Sequence, residues 1–249
     1  MNRDFNQYLK DYLELPFERI FEKYRHLKVM ELVESANIGK KIKILEIGPG
    51  LNPVYTYLQG FEVVHVLEPI QTLYQTTQKN IKKKENIQVF NLTLDDFIKS
   101  NLKLRSYDLI ILSSVLHEIP NYEEALQQCF FLLGKAGKII IVVPNNKSLH
   151  RIIGEQSGIH PIGEILTTTE ITMQQSASFS LDSLRTQLEK TGFETQLIKS
   201  EFIKIFPHSV MQELFDKSIL NKQILDFFSV ASPLLPDLGA EIFYLGTKL

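Results

Sequence analysis

Apolar residues follow two different periods along this chain, and the change falls near residue 41. Between residues 1 and 40 they recur at helical spacing, and Pro16 divides the helical run in two. From residue 41 onwards, short β-branched runs alternate with helical stretches, and the runs are almost continuously apolar. Strands that are covered on both faces have this composition. The pattern predicts an N-terminal helical cap over residues 1–40 and an α/β domain over residues 41–249.

The α/β region contains seven predicted strands joined by helices. The strands cover residues 41–47, 62–67, 87–90, 108–113, 138–144, 195–206 and 241–247. Helices are predicted at about residues 70–84, 122–133 and 180–190. A further helix is expected after the first strand, with Asn52 as its N-cap and Pro53 at its first position. Alternation in this order predicts a doubly wound, parallel sheet with right-handed crossovers.

Two long inserts interrupt the alternation, at residues 145–179 and 207–240. Each insert leaves the carboxyl end of a predicted strand. Ligands of open α/β sheets bind at that edge of the sheet. We therefore expect both inserts to cover a ligand pocket.

Composition and charge narrow the classes of protein that fit. A net charge of −2 disfavours binding to a phosphate backbone, which needs a basic face. The first residues lack the apolar core of a signal peptide, and no apolar run approaches the ~18 residues of a membrane span. The single cysteine excludes an internal disulfide, and no group of side chains has metal-ligand spacing. We expect a cytoplasmic protein without a metal, a membrane contact or a nucleic-acid partner.

The strongest chemical signal is the segment Glu46–Gly50, which follows the first strand. Its two glycines let the backbone pass close to a ligand. Glu68 ends the second strand, 20 residues after Gly48, and a carboxylate at that spacing reaches ribose hydroxyls. A dinucleotide fingerprint needs a third glycine at the position that Pro53 occupies. The pattern therefore favours a nucleoside without a pyrophosphate over NAD or FAD.

Four blocks in this order resemble the motifs of class I S-adenosylmethionine-dependent methyltransferases, especially those that modify small molecules or glycans. The blocks are residues 44–50, 67–69, 107–120 and 137–151. The resemblance covers roughly residues 41–206, with 241–247 as a reversed last strand. It implies a Rossmann-like sheet of seven strands in which the last strand is antiparallel. It also implies methyl transfer from S-adenosylmethionine, with S-adenosylhomocysteine as the product.

The resemblance further implies which residues bind the cofactor. The turn formed by Gly48, Pro49 and Gly50 passes the methionine portion, and Glu46 lies near the methionine amino group. The other expected contacts follow the order of the cofactor's parts. They are Glu68 with Pro69 at the ribose, Thr93 and Leu94 at the adenine, Ser113 and Ser114 at the transferred methyl, and Tyr24 and Arg25 at the methionine carboxylate.

Histidines supply the candidate catalytic base. His117 is the first candidate, because it follows the fourth strand at the pocket edge and titrates near neutrality. The alternative is that it only forms a wall of the cofactor site. Glu118 is placed to orient it. His150 and His208 are further candidates for the base, and Glu118 is also a candidate contact of the acceptor. Residues at the starts of the inserts are expected to bind an anionic or hydroxyl-rich acceptor, or else to be surface charges or helix caps: His150, Arg151, Lys204 and His208.

These expectations together indicate methyl transfer to a small acceptor, at a hydroxyl group of a metabolite, sugar or glycan precursor. The two inserts favour a small acceptor because a covered pocket suits a metabolite better than a polymer. A nucleic-acid methyltransferase and a non-catalytic partner protein with the same fold are the alternatives. Exposed aromatic residues in the N-terminal helices are expected to form either a lid or the seam of a homodimer.

Overall fold

A seven-stranded sheet lies at the centre of the computed structural model, which describes residues 4–36, 38–39, 41–81, 85–100, 106–158 and 166–249. The strands are β1 (Ile42–Ile47), β2 (Phe61–Leu67), β3 (Ile87–Phe90), β4 (Tyr107–Ser113), β5 (Leu133–Pro144), β6 (Phe193–Glu201) and β7 (Glu241–Lys248). Their spatial order is β3-β2-β1-β4-β5-β7-β6. Six strands run parallel, and β7 is antiparallel to both β5 and β6. The predicted fold class is confirmed.

Helices flank the sheet and also lie in both inserts. They are α1 (Phe5–Glu14), α2 (Glu18–Ser35), α3 (Gln71–Ile81), α4 (Leu94–Lys99), α5 (Tyr122–Leu132), α6 (Leu149–Gln156), α7 (Thr168–Thr172), α8 (Leu181–Thr191), α9 (His208–Asp216) and α10 (Lys222–Val230). The predicted end of the third helix, residues 82–84, and part of the first insert, residues 159–165, lie outside the described residues.

Alternate residues of the central strands pack into two separate cores, one on each face of the sheet. Leu45 and Ile110 belong to the core on the side of α5 and α8. Their neighbours Ile44 and Leu109 belong to the opposite core, which α2 covers through Val29. Side chains alternate between the faces of a strand, so a strand buried on both faces must be apolar at every position. This explains the continuous apolar runs in the sequence.

The chain after β1 differs from the prediction. A single 3-10 turn, Val54–Tyr57, stands where we expected a longer helix. Pro53 has φ −58° and ψ 133°, so it is extended and precedes the turn. The chain must also return to β2 at Phe61, which leaves too few residues for a helix. The proline and the short connection together end the element after one turn.

The sixth strand is also shorter than predicted. It ends at Glu201, and Phe202 has φ 62°, a left-handed conformation that bends the chain away from the sheet. The backbone N–H of Ile203 then donates to the carbonyl oxygen of Phe228 at 2.9 Å, which ties this segment to α10. The bend places Lys204 at the carboxyl edge of the sheet.

Candidate functional site

Two adjoining cavities open at the carboxyl edge of the sheet. The first cavity, of about 740 Å³, lies over the ends of β1 and β2 and the start of α4. The second cavity, of about 420 Å³, lies between α2, the ends of β4 and β5, and the two inserts. Residues common to both cavities are Tyr8, Tyr12, Gly48, Gly50 and Glu118. The glycine turn after β1 is therefore the boundary at which the two cavities meet.

The turn needs glycine at two positions. Gly48 has φ 61° and Gly50 has φ 64°, both in the left-handed region that other residues rarely adopt. A Cβ atom on Gly48 would lie 2.6 Å from Cγ2 of Val115, and one on Gly50 would lie 3.3 Å from the hydroxyl of Tyr12. Both glycines line the two cavities.

Glu68 lies at the end of β2 and lines the first cavity together with Pro69. The residue is only 2% exposed. One carboxylate oxygen accepts a hydrogen bond from the backbone N–H of Gly50 at 3.2 Å, and the other accepts from that of Ile70 at 2.9 Å. These bonds hold the carboxylate against the glycine turn and orient it beside the cavity.

The predicted adenine contacts lie on the far wall of the first cavity. Thr93 is the N-cap of α4, and its hydroxyl oxygen accepts from the backbone N–H of Asp96 at 3.2 Å. Thr93 and Leu94 both line the cavity, and so does Asp95, whose carboxylate is 2.5 Å from the ammonium of Lys99. Asp95 stands two residues after Thr93, and the first turn of α4 brings it to the cavity wall.

Glu46 lies on the other side of the glycine turn and lines the second cavity with Pro49. Burial raises the pKa of its carboxyl to about 7. Its two oxygens accept hydrogen bonds from the backbone N–H groups of Val54 at 2.6 Å and Tyr55 at 2.9 Å. The side chain therefore anchors the 3-10 turn that follows the glycines.

Tyrosines of α1 cover the point where the cavities meet. The hydroxyl of Tyr8 donates to a carboxylate oxygen of Glu118 at 3.0 Å, and the rings of Tyr8 and Tyr12 stack at 5.9 Å between centroids. The sequence analysis assigned no cofactor or catalytic role to these two tyrosines, although it expected exposed aromatic residues of the N-terminal helices to form a lid or a dimer seam. Their spacing of four residues on one helix face was the available signal.

His117 lies in a 3-10 turn, Leu116–Glu118, directly below the second cavity. The residue is 3% exposed, and its Nε2 atom is 4.0 Å from a carboxylate oxygen of Glu118. Its carbonyl oxygen accepts from the backbone N–H groups of Ser176 and Ala177, which joins the turn to the first insert. Ser113 and Ser114 line the same cavity beside it.

The first insert contributes His150 and Arg151 to the second cavity. The guanidinium of Arg151 makes two hydrogen bonds to the carboxylate of Glu170, at 2.6 and 2.7 Å. The Nδ1 atom of His150 lies 3.0 Å from the hydroxyl oxygen of Ser148. The charge of Arg151 is therefore already paired.

Arg25 is paired in the same way on α2. Its Nε atom lies 2.6 Å from a carboxylate oxygen of Glu241, and its Nη2 atom lies 2.9 Å from one of Glu18. Arg25 lines the second cavity. The hydroxyl of Tyr24 donates to Asp226 at 2.9 Å, and Tyr24 is not among the residues that line either cavity.

Lys204 and His208 complete the second cavity. Burial lowers the pKa of His208 to about 3, and its Nδ1 atom is 3.1 Å from the carbonyl oxygen of Pro16, so the ring is neutral. Burial also lowers the pKa of Lys204 to about 7, against the attraction of Glu18 and Glu241. No carboxylate oxygen of the described residues lies within 4 Å of the Lys204 ammonium, which faces the ring of Phe21 at 5.5 Å.

Two further features of the described residues bear on the kind of site. None of the clusters of histidine, cysteine, aspartate and glutamate in the described ranges has three members placed to hold a metal ion. In the same part of the chain, every helix is too short or too polar to cross a membrane.

Comparison with known proteins agrees with this geometry. Residues 18–198 match the model of the Methyltransferase domain family. A SAM-dependent methyltransferase from Thermotoga maritima has a similar structure, with a TM-score of 0.61 and 18% identity over 98% of this chain and 99% of that one.

Two curated proteins match this chain over only part of their own length. The chain is 27% identical to an uncharacterized protein of Methanocaldococcus jannaschii, over 59% of this chain. It is 25% identical to the Dictyostelium discoideum protein named "Probable polyketide synthase 8/35", over 52% of this chain. The matches span 58% and 6% of the lengths of those two proteins.

The family match covers the helix α2, the glycine turn, Glu68, strands β1 to β5 and the first part of β6. The seven-stranded sheet and its reversed β7 are those that the resemblance in the sequence implies. The chain belongs to the class I S-adenosylmethionine-dependent methyltransferase family.

Proposed function

We propose that this chain transfers the methyl group of S-adenosylmethionine to a hydroxyl group of a small, anionic acceptor. The observation that carries the proposal is the pair of cavities that meet at the glycine turn. Gly48 and Gly50 line both of them, so neither residue places a side chain of its own between the two cavities. The nucleoside would occupy the first cavity, and the methionine portion and the acceptor would share the second.

Residues of the first cavity fit the nucleoside. Glu68 holds its carboxylate at the end of β2, where it can accept from ribose hydroxyls. Thr93, Leu94 and Asp95 lie on the opposite wall, where the adenine ring would fit. When bound, the cofactor supplies a methyl group on a sulfonium, and a neutral thioether leaves. The chain's contribution is mainly alignment, which supplies about 7–11 kcal/mol in favourable cases.

The second cavity offers groups that can accept a proton from a hydroxyl. His117 is the first candidate because it lies below the cavity beside Ser113 and Ser114. His150 is a second candidate, whereas the low pKa of His208 makes that ring a weak base. A positioned base accelerates such a reaction by about 10²- to 10⁴-fold. A hydroxyl acceptor therefore suits this cavity.

Charge in the second cavity supports an acceptor with an anionic group. Arg25 and Arg151 are each neutralised by close carboxylates. Lys204 is 4% exposed and has no such partner within the described chain. Since an unpaired buried charge is costly, a carboxylate or phosphate of the acceptor beside Lys204 would be stabilised by it. A sugar or glycan precursor that carries an acidic group meets this requirement.

The test is a transfer assay with isotopically labelled S-adenosylmethionine and matched pairs of hydroxy acids and their amides. We expect label in the acids and not in the amides. Lys204→Met should lower kcat/KM for the acids by about 10- to 100-fold, which is the value of a hydrogen bond to a charged group. It should leave S-adenosylhomocysteine binding unchanged. Transfer to amides and acids at equal rates, or to RNA, would contradict the proposal.

The remaining expectations about the whole protein stay predictions. They are a cytoplasmic location, the lack of a nucleic-acid partner and the formation of a homodimer. The same holds for the cofactor role of Tyr24 and for the division into a cap over 1–40 and a domain over 41–249.

A further inference from the structure

A buried carboxylate that the sequence analysis did not single out lies beside the glycine turn. Glu22 belongs to α2, is 6% exposed, and lines the second cavity with Gly48 and Gly50. One of its oxygens accepts from the side-chain amide of Asn52 at 2.5 Å, two residues after the turn. The hydroxyl of Tyr12 donates to the same carboxylate. Both donors hold Glu22 at the turn.

The partners of Glu22 are neutral. An amide and a hydroxyl donate to it, and no lysine, arginine or histidine of the described residues forms an ion pair with it within 4 Å. Arg25, whose charge lowers the pKa of Glu22, is itself held by Glu18 and Glu241. Burial raises the pKa of Glu22 accordingly. A carboxylate in this state gains most from a cationic ligand.

Glu46 stands on the other side of the turn and has a different set of partners. Its two oxygens already accept the backbone N–H groups of Val54 and Tyr55, at 2.6 and 2.9 Å. It is therefore engaged in holding the 3-10 turn. Among the described residues no backbone N–H donates to Glu22, which lines the cavity from α2.

We propose that Glu22, rather than Glu46, binds the α-ammonium group of the cofactor's methionine portion. The inference rests on the proposed function, since it needs that portion to pass the glycine turn into the second cavity. Glu46 is then a positioning residue, which keeps the turn in shape. Asn52 and Tyr12 orient Glu22 toward the ligand.

Calorimetric titration with two ligands tests this assignment. S-adenosylhomocysteine carries the amino-acid group, whereas 5′-methylthioadenosine shares the nucleoside and the sulfur but lacks that group. Glu22→Gln should weaken S-adenosylhomocysteine binding by about 10- to 100-fold, the value of a hydrogen bond to a charged group. It should leave 5′-methylthioadenosine binding within about twofold of the wild type, which also shows that the variant is folded.

Two further variants serve as controls. Glu34→Gln removes an exposed carboxylate of the same helix and should change neither affinity. Glu46→Gln disturbs the 3-10 turn and should weaken both ligands by similar factors.

The outcomes separate the two proposals. If Glu22→Gln weakens both ligands equally or leaves S-adenosylhomocysteine unaffected, the assignment of Glu22 is overturned while the proposed function stands. If the folded wild type binds neither ligand, the proposed function fails and the assignment fails with it.

Discussion

Single residues decide how close a ligand can come to the backbone after β1 (Ile42–Ile47). Gly48 combines a left-handed φ of 61° with a neighbour, Val115, that lies where a Cβ atom would project. Gly60 has φ 76° but nothing within 4 Å of the same position, and it lies at the opposite end of β2. A comparison of variants at these two glycines therefore distinguishes the cost of backbone strain from the cost of steric contact.

We predict that Gly48→Ala destabilises the fold more than Gly60→Ala does. Both variants bear the cost of a left-handed alanine, about 1–2 kcal/mol. Gly48→Ala also displaces Val115, and overpacking adds about 1–3 kcal/mol. Chemical denaturation measures the difference. Gly48→Ala should in addition weaken S-adenosylhomocysteine binding, and equal affinities of the two variants would show that the turn does not contact the ligand.

At the scale of the elements, one charged pair holds together the part of the first insert that lines the second cavity. Arg151 of α6 and Glu170 of α7 form a bidentate pair with side chains 11% and 9% exposed. Glu170 also accepts from the backbone N–H of Thr167 at 2.7 Å, which completes the capping box of α7. A single carboxylate thus joins the two helices of the first insert.

Glu170→Gln should loosen this insert without unfolding the sheet. The amide cannot accept from both guanidinium nitrogens, and a hydrogen bond to a charged group contributes about 1.5–3 kcal/mol. Hydrogen exchange should become faster in peptides from α6 and α7 and stay unchanged in β1 and β4. Glu213→Gln removes an exposed pair with Lys217 in the second insert and is the control. Unchanged exchange in α6 and α7 would mean that other contacts hold the insert.

At the scale of the whole molecule, α1 and α2 lie across both cavities and contact the sheet and the second insert. Tyr8 bonds to Glu118, Arg25 to Glu241 of β7, and Tyr24 to Asp226 of α10. A ligand bound beneath these helices stabilises the folded state because the unfolded chain cannot bind it.

S-adenosylhomocysteine should therefore raise the melting temperature of the chain. At 100 times its dissociation constant, a ligand contributes about 2.7 kcal/mol. For a domain of this size that corresponds to a rise of about 5–10 °C. Differential scanning calorimetry measures it, with adenosine monophosphate as a control that carries a phosphate in place of the thioether. An equal rise with both ligands would contradict selective binding.

Much of the fold could be predicted because it depends on local patterns of apolar residues. The apolar runs of the central strands must be continuous where helices cover both faces, and the strands formed where those runs lie. The expected helix after Asn52 was wrong, because the short return to β2 is a constraint between elements. The end of β6 was misplaced for a similar reason, since Phe202 turns toward α10.

The site could be predicted only where its residues follow strands directly. The glycine turn and Glu68 stand next to β1 and β2 in sequence, so the ends of neighbouring strands bring them together. One face of α2 carries three charged residues at helical spacing, Glu18, Glu22 and Arg25. An analysis of the apolar positions alone does not detect this polar face. The partners of these residues are far away in sequence, and the periodicity of a helix does not show which distant residues it contacts.

The sequence by itself determined the fold class, the glycine turn after β1 and the position of Glu68 at the end of β2. These features depend on neighbouring residues and on the period of apolar residues. Only the tertiary structure decided which charges are paired. Arg25 forms an ion pair with Glu241, which is 216 residues away in sequence, whereas no carboxylate of the described chain lies within 4 Å of the Lys204 ammonium. Pairing of charges depends on distances between remote elements, and those distances exist only once the inserts and the N-terminal helices have packed on the sheet.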